Sequence, residues 1–404
     1  MEFNIIENGG VCTPLGFAAA SCVADIKGKG KGNTDLAVLV SDAICQTAAV
    51  FTTNIVTAAP VQYDKALLAK GREFMGIVVN SGNANACTGK QGFIDCEAIS
   101  AAVENELELP KGSILAASTG VIGNRLPADK IIAHIPALCE EIDDDGGSAF
   151  AKAIMTTDTV SKELALLVET DKGSFVIGGT CKGAGMMSPS MATMLAFVTT
   201  DADISADRLQ KMLNVASEAS FNSINVDGDM STNDTLLAFA NGMSDVAIDD
   251  SNSALFQEAL NYLCKELALM IVRDAEGASK MVTIMVKGAK SDADAKLCAM
   301  KLSNSPLVKT MFAGSDPNWG RLMCTAGYSG AQFDPEKVSI WFNDLHYVKD
   351  STLIDPALED KAYAIMKEPE FTITLDLGAG DGVGTYYTCD LTKEYVAINA
   401  DYRS

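Results

Sequence analysis

The amino-acid sequence predicts an α/β fold in which sheets and helices form layers, an α+β sandwich. Short apolar runs with the length of buried strands recur along the chain, and longer amphipathic segments with helical spacing lie between them. This mixed order is typical of layered α/β proteins. A chain of 404 residues with 48% hydrophobic content has enough apolar surface for one large core or two medium cores.

The predicted strands and helices alternate from one end of the chain to the other. Apolar runs predict strands at 37–40, 76–79, 114–117, 164–168, 281–286, 338–342 and 371–377. Amphipathic spacing predicts helices at 127–142, 146–155, 205–219, 254–270, 291–302 and 358–367. Ser205 precedes one of these helices and has a side chain suited to capping its N-terminus.

Charge and cysteine content narrow the classes of partner. The 53 acidic and 31 basic residues give a formal charge of -22, which repels nucleic-acid phosphates. The 11 cysteines are scattered and form no CxxC pair, so we expect free thiols and a cytoplasmic protein. The N-terminal residues lack the pattern of an export signal, and glycines and a proline break the longest uncharged stretch. We therefore expect no membrane partner and no nucleic acid.

Histidine is scarce. His134 lies in a predicted helix and His346 in a strand-like segment. The sequence therefore has too few histidines to favour a Ser-His-Asp triad or a multi-histidine metal site, and we expect no metal. Acyl transfer in this protein would need a base other than imidazole.

The segment "DLGAGDGVG" at 376–384 resembles the nucleotide-binding turn of a methyltransferase or Rossmann domain. Such a turn needs a helix next, but residues that favour strands follow it. Two strands joined by a Gly/Asp turn, a β-hairpin, are the favoured interpretation. A protein that binds S-adenosylmethionine or NAD is the alternative from another class.

Three polar segments invite a functional interpretation. The segments "NSGNANACTG" (80–89) and "STGVIG" (118–123) each follow a predicted strand, and backbone amides in such loops can converge on an anion. Ordinary turn chemistry explains each of them about as well. The segment "NSINVDGDMSTNDT" (222–235) has poor calcium-loop spacing and is interpreted as a structural polar turn or a pocket wall.

Thr193 lies alone in the apolar run "MATMLAF" (191–197). As an N-terminal residue it would carry an α-amine with a pKa of about 8, which can take the proton of its own hydroxyl. That role requires cleavage of the bond between Ala192 and Thr193. A buried core threonine is the favoured interpretation at this point.

The segment "KGAGMMSPSMATMLAFVTTDA" (182–202) resembles the self-cleavage signature of the ornithine acetyltransferase family of arginine biosynthesis. Other segments resemble that family in the same order along the chain. They are "GGVCTPLGF", "VFTTNIVTAAPV", "NSGNANACTG", "STGVIG", "IMTTDT", "NVDGDMSTNDT", "RDAEGASK", "SDPNWGR" and "INADYRS". The resemblance covers essentially the whole chain.

The resemblance implies a self-cleaving enzyme with an N-terminal threonine nucleophile and an aminopeptidase-like fold. An α chain (1–192) and a β chain (193–404) would stay assembled, commonly as an α2β2 heterotetramer. The enzyme would move an acetyl group from N2-acetyl-L-ornithine to L-glutamate through an acetyl-threonine intermediate. No cofactor is implied, and acetyl-CoA is open as a second acetyl donor.

The resemblance also implies roles for individual residues. Ala192 and Thr193 flank the cleaved bond, Thr193 is the nucleophile, and Thr119 and Gly120 form the oxyanion hole. The substrate contacts fall on Thr156, Lys182, Thr193, Glu276, Asn399 and Ser404. An aminopeptidase or amidase that passes the acyl group to water is the alternative within the same fold.

Overall fold

The computed structural model describes residues 3–28, 30, 32–71, 73–188 and 194–401. The chain divides into two compact units. The first unit comprises residues 1–183, 190–222 and 230–271. The second unit comprises residues 184–189, 223–229 and 272–404.

The described residues form strands and helices throughout. The strands are β1 (Phe3–Ile6), β2 (Phe17–Cys22), β3 (Leu36–Phe51), β4 (Glu73–Asn80), β5 (Ile114–Ser118), β6 (Lys162–Thr170), β7 (Gly173–Lys182), β8 (Leu195–Thr200), β9 (Ile224–Asn225), β10 (Thr235–Ala240), β11 (Met281–Ala289), β12 (Ser339–Phe342), β13 (Leu345–Lys349), β14 (Thr352–Leu353), β15 (Glu370–Asp376) and β16 (Gly382–Cys389). The helices are α1 (Ala59–Leu68), α2 (Gly89–Glu106), α3 (Ala128–Glu140), α4 (Gly147–Ala153), α5 (Ala206–Ala219), α6 (Ser253–Arg273), α7 (Asp292–Ser303), α8 (Pro306–Ala313), α9 (Trp319–Gly327), α10 (Glu359–Met366) and α11 (Lys393–Ala400).

The mixed α/β class is confirmed, because every strand and helix predicted from the sequence overlaps an element of the same type. His134 lies on α3 and His346 on β13, as predicted. Ser205 lies at the N-cap position of α5, as predicted, although its side chain makes no capping hydrogen bond.

The first unit contains a nine-stranded mixed sheet in the described part of the chain. Its order is β1-β6-β7-β8-β10-β3-β4-β5, and β2 pairs with β3. The pairs β4–β5 and β8–β10 are parallel. Because parallel strands end at the same edge, the loops that follow β4 and β5 come out side by side.

Successive residues of β3 point to opposite faces of this sheet, and helices cover both faces. Leu36 and Val38 belong to one buried cluster, together with apolar side chains of α1, α2 and α3. Leu39 belongs to a second buried cluster with Phe197 of β8 and Phe150 of α4, whose rings meet edge to face at 5.5 Å. A strand buried on both faces is apolar almost throughout, which explains the continuous run seen at 37–40.

The second unit contains its own seven-stranded sheet in the described residues, with the order β14-β13-β12-β15-β11-β16-β9. Helices α7 and α8 pack on this sheet and bury apolar side chains against β11 and β15. One such contact joins the rings of Phe312 and Phe371, whose centroids are 5.7 Å apart.

The β-hairpin predicted around "DLGAGDGVG" is wrong. The strands β15 and β16 exist, and β16 follows the turn directly, so the nucleotide-binding turn lacks the helix that it requires. However, β11 lies between the two strands and pairs with both. The turn crosses the end of β11, where the amides of Ala379 and Gly380 donate to the Gly288 carbonyl at 2.6 and 3.0 Å.

Among the helices of the described residues, none combines the length and the apolar character needed to cross a bilayer.

Candidate active site

The two polar loops predicted after β4 and β5 form one structure in the first unit. The amide of Thr119 donates to the carbonyl of Asn80 at 2.9 Å, and the Ser118 hydroxyl donates to the Asn80 side chain at 2.6 Å. Farther along the loops, the Ala84 amide donates to the Val121 carbonyl at 3.0 Å. These amides bond to carbonyls of the neighbouring loop, so the idea that they converge on an anion is wrong for Thr119 and Ala84.

Asn233, in the segment first interpreted as a polar turn or pocket wall, fastens both loops. Its side-chain nitrogen donates to the carbonyl of Ala84 at 2.6 Å and to the carbonyl of Ser118 at 2.8 Å. Both bonds are buried, so the amide replaces hydrogen bonds that these carbonyls would otherwise make with water. Residues 230–235 therefore have a structural role in the first unit.

Gly120 follows Thr119 and has a backbone conformation that requires glycine. Its φ is +131°, and a Cβ atom at this position would lie 2.4 Å from the carbonyl carbon of Gly82. The absence of a side chain lets the two loops approach closely. With the Thr119 amide already bonded, the Thr119 hydroxyl and the Gly120 amide are the donors left to test as an oxyanion hole.

Lys182 ends strand β7 and brings two of the predicted site residues together. Its ammonium nitrogen donates to the Thr156 hydroxyl at 2.7 Å and to the Thr119 hydroxyl at 3.3 Å. Lys182 is 2% exposed. A buried cation that touches two hydroxyl groups can orient them and can bind a carboxylate or a developing oxyanion.

Asp158 balances the charge of this cluster. Its carboxylate accepts hydrogen bonds from the Lys162 ammonium at 2.8 Å, the Gly183 amide at 2.7 Å and the Thr156 amide at 3.1 Å. It also lies 3.9 Å from the Lys182 ammonium. The Asp158 carboxylate therefore holds in place the ammonium groups of Lys162 and Lys182 and the backbone that carries Thr156.

Two opposing effects set the pKa of Asp158. Burial by itself raises the pKa, but Lys182, Lys162 and the hydrogen bonds to the carboxylate outweigh that effect and lower the pKa to about 2. Asp158 is therefore ionised at every pH at which enzymes ordinarily work.

We expect Asp158→Asn to lower the free energy of unfolding by about 3–5 kcal/mol at pH 7, because two buried ammonium groups lose an anionic partner. The pKa of Asp158 is lower in the folded state, so its contribution is present above the ordinary value of 3.8. The difference between variant and parent should therefore shrink as the pH falls from about 4 to 2. Urea unfolding at several pH values measures both effects.

The matched control is Asp249→Asn, which removes the carboxylate of the exposed pair between Lys172 and Asp249. Solvent screens an exposed pair, so this variant should unfold almost like the parent. Equal destabilisation by the two variants would contradict the role given to Asp158.

Two further predicted residues meet in the second unit. The Asn399 side chain, on α11, donates to the Glu276 carboxylate at 2.8 Å, and Glu276 is 8% exposed. The Glu276 amide donates to the Ala184 carbonyl at 2.9 Å. A Cβ atom on Gly185 would lie 2.4 Å from a Glu276 carboxylate oxygen, so glycine is required for this approach. The Glu276 carboxylate can accept hydrogen bonds from a charged amino group, and the Asn399 side-chain amide fixes the position of this carboxylate.

Hydrogen bonds within the second unit hold Met186 and Met187, which precede the predicted cleavage site in the sequence. The Asp227 carboxylate accepts from the amides of Met186 and Met187 at 2.6 and 2.8 Å. In return, the amides of residues 226, 227 and 228 donate to the Met187 carbonyl at 2.9, 3.2 and 3.2 Å. The Tyr395 hydroxyl, on α11, donates to Asp227 at 3.0 Å.

Ala192, Thr193 and Ser404, which the sequence placed at the cleaved bond and in the substrate site, lie outside the described residues. Among the other predicted site residues, Thr119, Thr156 and Lys182 meet in the first unit, and Gly120 follows Thr119 there. Glu276 and Asn399 meet in the second unit. The prediction of site residues missed Asp158, although it stands inside the quoted segment "IMTTDT", two residues after Thr156.

The buried Lys182 ammonium and the two threonine hydroxyls beside it can stabilise the negative charge that develops in acyl transfer. The profile of the ArgJ family matches residues 18–404. The chain belongs to the ArgJ family, so the predicted recognition is confirmed, as is the prediction of an acetyltransferase enzyme of arginine biosynthesis.

Relatives match over nearly their whole length. The arginine biosynthesis bifunctional protein ArgJ of Symbiobacterium thermophilum is 44% identical over 405 residues, which cover 98% of this chain and 99% of that protein. The protein of the same name from Dehalococcoides mccartyi is 44% identical over 406 residues, with 99% of each chain covered.

Two solved structures are also similar. Arginine biosynthesis bifunctional protein ArgJ from Bacillus halodurans is 38% identical, with a TM-score of 0.49, and the match covers 50% of this chain and 97% of that one. Ornithine acetyltransferase complexed with ornithine, from Mycobacterium tuberculosis, is 37% identical, with a TM-score of 0.43, and the match covers 48% and 100%.

Proposed function

We propose that the protein transfers the acetyl group of N2-acetyl-L-ornithine to L-glutamate, after cleaving itself between Ala192 and Thr193. Membership of the ArgJ family supports the pathway. The observation that carries the chemistry is the buried Lys182 ammonium, which touches the hydroxyls of Thr119 and Thr156. A site of this kind stabilises negative charge on an acyl oxygen without a metal or a resident cofactor, so we propose neither.

Maturation begins at Thr193. Its hydroxyl attacks the carbonyl of Ala192, the peptide C–N bond breaks, and the nitrogen takes the hydroxyl proton to give an ester. Water then hydrolyses the ester, which leaves a carboxylate on Ala192 and a free amino group on Thr193. The scarcity of histidine supports this route, because the new amine supplies the base that the chain otherwise lacks.

The transfer proceeds in two halves. The Thr193 hydroxyl attacks the acetyl carbonyl of the donor while its proton passes to the α-amine and then to the departing nitrogen of ornithine. The amine of glutamate next attacks the acetyl-threonine ester, the C–O bond to Thr193 breaks, and a proton of the glutamate amine passes through the α-amine to the departing threonine oxygen. In each half the Thr119 hydroxyl and the Gly120 amide stabilise the oxyanion.

The remaining contacts divide by charge. Lys182 binds a substrate carboxylate, with Thr156 beside it. Glu276, held by Asn399, binds a substrate ammonium, and Ser404 is proposed as a further substrate contact. The relatives are named bifunctional proteins, which supports acetyl-CoA as a second donor for glutamate.

We also propose an α2β2 assembly in the cytoplasm. All 11 cysteines are free thiols in the structure, which supports a reducing compartment.

The test is the intact mass of the purified protein before and after addition of N2-acetyl-L-ornithine. We expect two fragments, cut between residues 192 and 193, and a gain of one acetyl group on the fragment that begins at Thr193. Added glutamate should remove that group and yield N-acetylglutamate. Release of acetate alone would point to an amidase, and a single uncut chain in an active preparation would contradict the mechanism.

A further inference from the structure

The short helix α11 is attached to the second unit through polar contacts. None of its eight residues, all of which the structure describes, is buried, and Val396 is 63% exposed. Tyr395 and Asn399 lie four residues apart and therefore on the same face of the helix, and both donate to carboxylates. A helix of this length is marginal by itself in water, so its contacts with the rest of the unit decide whether it stays in place.

Tyr395 supplies the contact in the middle of α11. Its hydroxyl donates to Oδ2 of Asp227 at 3.0 Å, and the Asp227 carboxylate is itself fixed by the amides of Met186 and Met187. Burial, and after it the charge of Asp227, raises the pKa of the Tyr395 hydroxyl above its ordinary value. The hydroxyl therefore stays protonated, and remains a donor, at neutral pH.

The start of α11 contacts the residue that follows Glu276. Thr392, the N-cap residue, donates its hydroxyl to the Gly277 carbonyl at 2.6 Å. The φ of Gly277 is +65°, and a Cβ atom there would lie 2.5 Å from the backbone nitrogen of Tyr395. The backbone of α11 thus packs closely against the segment that carries Glu276.

The end of α11 contacts Glu276 itself. The Asn399 side chain donates to the Glu276 carboxylate at 2.8 Å and to the Tyr395 carbonyl, one turn back, at 3.0 Å. Asn399 can make the first of these bonds only while α11 is docked. The bond between Tyr395 and Asp227 holds the middle of the helix and so also aligns Asn399 with Glu276.

We propose that Tyr395 is a positioning residue for the substrate-ammonium site, because its bond to Asp227 keeps Asn399 against the Glu276 carboxylate. This inference rests on the proposed function, in which Glu276 binds an ammonium group of the substrate. At neutral pH the side-chain ammonium is the one cationic group of N2-acetyl-L-ornithine, since acetylation removes the charge of the α-nitrogen. Tyr395 itself exchanges no proton and forms no bond to the substrate.

A substrate without this ammonium separates a role at Glu276 from a general effect on the protein. N2-acetyl-L-norvaline has the same carbon chain as N2-acetyl-L-ornithine but lacks the terminal nitrogen. A site that binds the ammonium gives acetylornithine the higher kcat/KM. Loss of folded or cut enzyme lowers both kcat/KM values by the same factor, so their ratio reports on the ammonium site alone.

The test is Tyr395→Phe, which removes one hydroxyl and keeps the ring. We expect the ratio of kcat/KM for acetylornithine to that for acetylnorvaline to fall about fivefold, because Glu276 loses its alignment. The change should lie mainly in a higher KM for acetylornithine, with a smaller change in kcat. A ratio equal to that of the parent would overturn the proposal.

Tyr363→Phe is the matched control. Tyr363 lies on α10 in the same unit and is 42% exposed. The substitution removes the same hydroxyl at a site away from α11, so the ratio should stay at the parent's value. An equal fall in both variants would mean that the loss of a tyrosine hydroxyl anywhere in this unit causes it, and would overturn the proposal.

A second measurement uses the unaltered protein and decides if Tyr395→Phe is insoluble. Hydrogen exchange of residues 393–400 is followed by mass spectrometry with L-ornithine, with L-norvaline and without ligand. An ammonium bound between Glu276 and Asn399 should slow exchange in α11 by about fivefold at a ligand concentration of about four times Kd. Equal exchange with L-ornithine and with L-norvaline would overturn the proposal.

The two proposals fail in different ways. A parent protein that forms no N-acetylglutamate from acetylornithine would remove the proposed function and this inference together. A parent that transfers the acetyl group and prefers acetylornithine to acetylnorvaline, in a ratio that Tyr395→Phe leaves unchanged, would remove only the role of Tyr395.

Discussion

Replacement of Thr193 by alanine is expected to leave the chain uncut and without transferase activity. The substitution removes the hydroxyl that is proposed both to open the bond to Ala192 and to carry the acetyl group, so no partial function should survive. Denaturing electrophoresis should show one band at 42.5 kDa, whereas the parent is expected to show two bands of roughly half that mass. Formation of N-acetylglutamate from acetylornithine should fall to the rate without enzyme.

The control is Thr193→Ser, which keeps a hydroxyl and removes only a methyl group. We expect this variant to be cut and to retain part of the activity, because serine can perform the same attack. If the alanine variant were cut at the same bond, another residue would be the processing nucleophile. If the alanine variant kept its activity, the acetyl-threonine intermediate would be excluded.

Replacement of Thr119 by valine is expected to lower kcat about 10²–10³-fold, which corresponds to about 3–4 kcal/mol of transition-state stabilisation. Valine has nearly the same shape but lacks the hydroxyl that Lys182 contacts at 3.3 Å. The Thr119 amide bond to Asn80 should persist, so the loop should keep its structure. Steady-state kinetics with acetylornithine and glutamate measures the change, and KM should move much less than kcat.

Thr47→Val provides the comparison for this experiment. Thr47 is 0% exposed on β3, and its hydroxyl donates to the Cys45 carbonyl at 3.3 Å. Its replacement also removes one buried hydroxyl, at a cost to stability of about 1 kcal/mol, but should leave kcat unchanged. A similar loss of kcat in both variants would trace the effect to stability and would remove Thr119 from the oxyanion hole.

The sequence was sufficient for the identity of many elements because hydrophobic periodicity is a local property. In β11 and α6, for example, the spacing of the apolar residues along the sequence is enough to indicate a strand and a helix. Strand pairing is not local. The Gly/Asp turn after β15 suggested a hairpin, but no feature of residues 371–389 indicates that β11, about 90 residues earlier, would be inserted between the two strands. Helix α2 was missed because its apolar positions are interrupted by small and polar residues.

The residues of the candidate site likewise include some that the sequence revealed and some that only the structure revealed. Family segments supplied Thr119, Thr156 and Lys182, and the structure brings these three together. Asp158 stands inside the segment "IMTTDT", but an aspartate in a sequence gives no sign of whether it will be buried. Its significance comes from the charges and amides that folding places around it, such as the Lys182 ammonium and the Gly183 amide.

The strand order β7-β8-β10-β3 determines what a cut at residue 192 could do. The outer strands of this quartet precede the cut, and β8 and β10, which lie between them, follow it. Hydrolysis of one peptide bond would break none of the ladders that join these strands. The two fragments would remain hydrogen-bonded in a single sheet and would separate only on denaturation. A native gel should thus show one species in a sample that a denaturing gel resolves into two.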